Sequence, residues 1–208
     1  TWGNVSERDP ETGFIVIKPS GVPYEKMKSE HMVVLDPQGK QLEGKLKPSS
    51  DAPTHLELYG SFQHMGAVAH THSSWATSWA QAGKSIPVYG TTHADYFYGP
   101  VPCTSSLTRE EVKDGYELNT GRIIVETFRE LDYLSMPAVL VNGHGPFTWG
   151  KDAREAVHHA VVLEEVAKIA FRTVVLGGKQ PLEKFLLDKH YDRKHGNKAY
   201  YGQDNQDK

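Results

Sequence analysis

The sequence is poor in the features that would place it in several whole classes of protein. It has a single cysteine, Cys103, in 208 residues. That excludes an intrachain disulfide framework and any cysteine-rich zinc module, and it suits a reducing cytoplasm. No apolar run approaches the ~18 residues of a membrane span, so a lipid-embedded helix is not expected. The formal charge is only −3, which gives no global field for nucleic acid; an anionic ligand would have to be met by a local cluster of donors. No Gly-x-Gly-x-x-Gly turn opens a helix, so a nicotinamide site is unsupported. There is no visible signal or transit peptide and no internal repeat. The chain opens without methionine on TWGNVS, already strand- or turn-like, and further residues are expected upstream.

What is present reads as one domain spanning 1–208, with apolar (38%) and charged (24%) fractions that allow a buried core under a hydrated surface. GFIVIKP and HMVVLD are β-branched runs bounded by turn residues, and therefore strands. Residues 54–63 read as a short helix capped by the preceding Ser and Asp, MGAVAHTH as a buried strand, and SSWATSWAQAG as a helix. IPVYG reads as a short strand, TREEVKDGYELNTGRIIVETFREL as one or two helices, and PAVLVNGHG as a strand ending in a loop. The clearest helix runs from Asp152 to about Leu176, with Ala156, Ala160, Leu163, Ala167, Ala170 and Val174 at alternating spacings of four and three. LEKFLLDKHYDRKHG forms a last helix before a polar tail, of which 204–208 are expected to be disordered. The element order implies an α/β fold with helices covering a mixed or antiparallel sheet.

Histidine is abundant, with eleven residues, and its placement matters more than its number. His70 and His72 lie two apart at a strand end, so both rings project from one face and can converge on one ion. His144 ends a second buried strand in a glycine-flanked loop. Three imidazoles leave room for substrate on a zinc-like ion, and Asp51, at a helix start, is a candidate fourth ligand. A His-x-His pair alone can equally be two polar residues at a strand end. His158 and His159, adjacent on a helix, face different directions and cannot chelate together.

GPFTWGKD resembles a phosphate loop, but Pro146, Phe147 and Trp149 would stand where free amides are needed. A tight turn capping the long helix is the expected alternative. A better anion cradle is spread over Gly3 and Asn4, Ser20 and Gly21, and Ser49 and Ser50, with Lys18 adding charge. Small polar residues in turns are also ordinary turn formers.

TWGNVS, IKPSGV, KPSSDAPTH, AHTHS, GTTHADYFYG, NGHGPFTWGK and LLDKHYDRKHGNKAYYGQ occur in this order, and together they resemble the sequence blocks of bacterial L-ribulose-5-phosphate 4-epimerases, a branch of the class II aldolase family. The resemblance spans essentially the whole chain. It implies a three-layer α/β/α sandwich around a mixed, mostly antiparallel sheet, an N-terminal helix preceding Thr1, and a homotetramer with active sites between subunits. It makes His70, His72, His144 and Asp51 metal ligands, with zinc the expected ion and another divalent metal also compatible. Gly3, Asn4, Ser20, Gly21, Ser49 and Ser50 fall on substrate phosphate contacts. Asp95 and Tyr201 fall on the two proton-transfer positions, the tyrosine reaching a neighbouring subunit's site, and His190 is a lesser candidate for an interface contact. Related aldolases carry glutamate where Asp51 stands.

The implied reaction inverts C4 of a phosphorylated pentulose. C4 is not adjacent to the C2 ketone, so its hydrogen is not acidic; cleavage and re-formation of the C3–C4 bond is the available route. Two other readings remain open on the residues: an aldolase of the same family, and a noncatalytic metal or sugar-phosphate binding module.

Overall fold

The computed structural model describes residues 2–178, 180–196 and 199–200. Tyr201 and the 204–208 tail lie outside them. Seven strands form one sheet: β1 (Gly3–Arg8), β2 (Ile15–Ile17), β3 (Val33–Leu35), β4 (Gln41–Glu43), β5 (Ala67–Thr71), β6 (Ala138–Leu140) and β7 (Pro146–Gly150). Their spatial order is β4-β3-β2-β1-β5-β7-β6. All six ladders are antiparallel, and a lone parallel bridge joins Cys103 to Leu140. The helices are α1 (Ala52–Ser61), α2 (Ser74–Gln81), α3 (Thr91–Ala94), α4 (Arg109–Lys113), α5 (Tyr116–Thr127), α6 (Ala153–Val175) and α7 (Lys184–His195), with two short 3-10 turns between β2 and β3.

Alternation along the central strands sorts the residues between two layers. Ala67 and Ala69 of β5 pack with Val5 against Ala153 and Ala156 of α6. Val68 faces the other way, into the main core with Leu58 and Tyr59 of α1, Phe62 just after it and Ile124 of α5. The small residues on the α6 side allow the long helix to lie close to the sheet. Asp152 caps it by accepting from the Glu155 amide at 2.8 Å, a contact of the kind that typically contributes about 1 kcal/mol. The expected α/β/α arrangement is therefore present, with helices on both faces.

Two local expectations are corrected, and one strand was not anticipated. Pro146–Gly150 is not a turn before α6 but strand β7, between β5 and β6. Phe147 and Trp149 fill the core while Thr148 turns to the other face and bonds the Ala156 carbonyl at 2.8 Å. Its buried side chains leave no room for a phosphate loop. IPVYG makes only an isolated bridge, Ile86 to Val101, since Pro87 has no amide to continue a ladder. β4, wholly exposed at the sheet edge, carries too little apolar pattern to be read from sequence.

Candidate metal centre and anion cradle

β5 sets the site. His70 lies on the same face as Val68, and His72 follows at the strand's mouth. Their Nε2 atoms are 3.0 Å apart. His144 comes from the turn between β6 and β7, where Val141 and Gly145 close the hairpin through a backbone bond of 2.9 Å. That turn brings its ring within 4.7 Å of His70 and 4.9 Å of His72, centroid to centroid. Among the described residues these three imidazoles form a group whose ligand atoms all lie within 4.8 Å of one another.

The tautomers are fixed from behind. His70 Nδ1–H donates to the Pro146 carbonyl at 2.9 Å, leaving Nε2 as a lone-pair donor toward the cluster. His144 Nδ1 is 3.1 Å from the Tyr116 hydroxyl, so its other nitrogen is likewise left for the group. Burial, reinforced by neighbouring His144 and His72, pushes His70 down to about 3. Burial and His72 lower His144 as well, against the pull of Asp51. Rings that crowd one another and face a common point are suited to a divalent cation, and the donor set of three imidazoles fits zinc chemistry.

Asp51 is the N-cap residue of α1, yet its side chain makes no capping bond. Instead Asn4 Nδ2 donates to its carboxylate. Asp51 is not part of the three-histidine group, but it lines the same cavity of about 300 Å³.

Most of the remaining wall of that cavity is the expected cradle: Gly3, Asn4, Ser20, Gly21, Ser49 and Ser50, together with Lys18. Backbone bonds stitch the segments together. Ser20 N–H donates to Lys47 O and Ser49 N–H to Lys18 O, both at 3.0 Å, while Tyr24 O–H donates to Gly3 O at 2.7 Å. Gly21 turns the chain with φ +70°, which favours glycine. Gly3 (φ +150°) runs so close to β5 that a Cβ would overlap the His70 carbonyl oxygen. Lys18 is buried, bonds the Pro19 carbonyl at 3.0 Å, and has its ammonium pKa lowered by desolvation. A partly dehydrated cation beside small donors is a strong partner for a phosphate.

Two lining residues escaped the sequence reading, Tyr116 and Glu117. They open α5 after Gly115, and nothing in their spacing links them to histidines far away in the chain. His158 and His159 do diverge, as expected: His158 is exposed near Tyr96, and His159 is buried with Nδ1 against the Trp149 carbonyl.

Asp95 does not line this cavity. It ends α3 and is held by α7: Arg193 Nη2 donates to its two oxygens at 2.7 and 2.9 Å, and His190 Nδ1 lies 3.1 Å away. Burial would raise its carboxyl, but the Arg193 and His190 hydrogen bonds and the Lys194 charge hold it below the usual carboxylate range.

The fold is shared with solved structures. An L-fuculose 1-phosphate aldolase superposes with TM-score 0.78 at 24% identity, covering 93% of this chain and 85% of that one. The L-fuculose 1-phosphate aldolase from Glaciozyma antarctica PI12 does so with TM-score 0.76 at 17% identity, covering 95% and 74%. The L-ribulose-5-phosphate 4-epimerases UlaF of Salmonella paratyphi A and Salmonella typhi are each 56% identical over 204 residues, 98% of this chain and 90% of theirs. With residues 1–171 matching the family model as well, the chain belongs to the class II aldolase and adducin N-terminal domain family.

Proposed function

We propose that the chain is a metal-dependent isomerase that interconverts L-ribulose 5-phosphate and D-xylulose 5-phosphate by inverting C4. The observation that carries this reading is the joining, in one cavity, of a three-imidazole group with a phosphate-sized cradle. The 56% identity to the UlaF epimerases over nearly the whole chain supports it. His70, His72 and His144 would hold the ion, with Asp51 as fourth ligand and zinc as the metal. When bound, the ion supplies Lewis-acid stabilisation of negative charge developing on the substrate.

The protein's own groups account for the remaining requirements. The Gly3–Asn4, Ser20–Gly21 and Ser49–Ser50 segments with Lys18 grip the phosphate, so that cleavage of the C3–C4 bond does not release glycolaldehyde phosphate. While held by its phosphate, the aldehyde can turn its other face to the dihydroxyacetone enediolate, and the re-formed bond has C4 inverted. One group must take the C4 hydroxyl proton, and another must supply a proton on the opposite face. Asp95, kept ionised by Arg193 and His190, suits the acceptor role, and Tyr201 the donor role. Both act at a neighbouring subunit's cavity in a homotetramer, in keeping with the position of Asp95 outside its own chain's cavity.

The test is interconversion of the two pentulose phosphates by zinc-loaded, oligomeric protein, with aldehyde release followed in parallel. Turnover abolished by a chelator and restored by zinc is the expected result. Absence of turnover with either sugar overturns the reading, and stoichiometric release of aldehyde would identify an aldolase instead.

A further inference from the structure

Directly behind the cavity lies a polar chain that the reaction does not use. His55, on the second turn of α1, is completely buried. Its Nδ1 is 2.7 Å from Ser6 Oγ, and the same hydroxyl is 2.9 Å from Tyr59 OH. Ser6 lies two residues after Asn4 on β1, so both side chains project from one face of the strand, and Asn4 in turn donates to Asp51. β1 and α1 are thus joined by two polar rungs, Asn4 to Asp51 and Ser6 to His55 and Tyr59. The His55 amide also donates to the Asp51 carbonyl at 3.1 Å. On its other side the His55 ring meets the edge of Phe147 at 6.1 Å, and Phe147 stacks on His70 at 4.2 Å and 17°.

This chain is costly for the fold. Burial pushes His55 down to about 3, so the ring is neutral and gains no ion pair. Its Nε2 and Asn4 Oδ1 are buried without a protein hydrogen-bond partner. An apolar ring of the same size would fill this space without leaving polar atoms unpaired. A polar group retained at such a place gives direction rather than packing. What it can direct lies one turn away, at the start of α1, where Asp51 has given up its capping bond to turn toward the cavity.

We propose that His55 is a positioning residue: through Ser6 and Tyr59 it fixes the first turns of α1 against β1, so that Asp51 and the adjoining Ser49–Ser50 turn meet the histidine group in one geometry. The inference rests on the reading of Asp51 as a metal ligand, and it extends the metal's support to residues outside the cavity.

The test compares His55→Phe, which keeps a ring but no nitrogen, with His55→Asn, which restores a polar atom at the Nδ1 position. Zinc affinity is measured by competition with a chromogenic chelator, kcat and KM with ribulose 5-phosphate, and unfolding by thermal melting of the metal-free protein. In His55→Phe, zinc affinity and kcat should each fall by roughly tenfold, the scale for lost support of a ligand. KM should rise by about twofold or more, since the Ser49–Ser50 turn of the phosphate cradle is set by the same contacts, and His55→Asn should recover most of both losses. Wild-type zinc affinity and kcat in His55→Phe, whatever the melting temperature, overturn the proposal. If His55→Phe does not fold, Ser6→Ala with His55→Asn decides: weaker zinc binding in Ser6→Ala supports it, and wild-type binding in both overturns it. Asp51→Asn separates this from the underlying reading. Unchanged zinc affinity there removes Asp51 from the ligand set, whereas weakened zinc binding with no sugar turnover by the wild type leaves the positioning intact and removes the epimerase.

Discussion

Two clusters of polar side chains in this molecule are built in opposite ways. The His70, His72 and His144 group consists of rings whose ligand atoms face one another across a cavity, with the outward nitrogens of His70 and His144 held from behind by Pro146 and Tyr116. The Asp95 group contains a carboxylate, two cations and an imidazole that satisfy each other directly. One arrangement leaves its donors pointed at a shared space, and the other consumes them in mutual contacts. A ligand site is recognised here by the direction of its lone pairs, not by the number of polar residues gathered.

The largest effect should come from breaking the first cluster. His70→Asn, or removal of metal by a chelator, should lower kcat/KM by roughly 10³-fold, the scale of several kcal/mol of lost charge stabilisation; steady-state kinetics with metal analysis by mass spectrometry checks it. Asp95→Asn should sharpen the contrast, reducing kcat by roughly 10²-fold or more while zinc content stays at the wild-type level. Arg193→Met tests whether the second cluster is also structural: it removes the paired hydrogen bonds to Asp95 and should cost about 2 kcal/mol in denaturant unfolding. Tyr116→Phe, which frees His144 Nδ1, should weaken zinc binding about tenfold with little change in melting temperature.

The dependence of stability on pH reports on a separate pair of buried rings. Burial lowers His55 to about 3 and His93 to about 4, against about 6.5 in the unfolded chain. Between those values the unfolded state binds more protons, so the stabilisation is fully present above pH 6.5 and is lost as pH falls below it. The slope approaches about 1 kcal/mol per ring per pH unit, and melting of metal-free protein from pH 7 to pH 4 would reveal it. An unchanged melting temperature over that interval would contradict the neutral, buried state of both rings.

Much of the fold could be read because long elements carry strong periodicity. α6 was visible from its alanine stripe, and β5 from an apolar run ending in His-x-His. Pro146–Gly150 was misread because a proline and three bulky or small residues look like a turn, whereas the sheet needs a strand there to bury Phe147 and Trp149. The three histidines were legible from their strand-end spacing and the cradle mainly through family resemblance; the structure brings both sets, from Gly3 to His144, into one cavity. Tyr116 and the Asp95–Arg193 pair were not legible, since partners that far apart along the chain leave no periodic trace. Helix packing decides that they meet: α3 against α7 brings Arg193 to Asp95, and the start of α5 brings Tyr116 to His144.

The sheet's strand order has a kinetic consequence. β5 lies between β1 and β7, and its histidines meet His144 only once the β6–β7 hairpin, far later in the sequence, has docked beside it. Contacts of such long range close late, so a nascent or half-folded chain holds at most His70 and His72 near each other. A three-imidazole grip on an ion would therefore require the β6–β7 hairpin to be in place, which couples any metal binding here to folding.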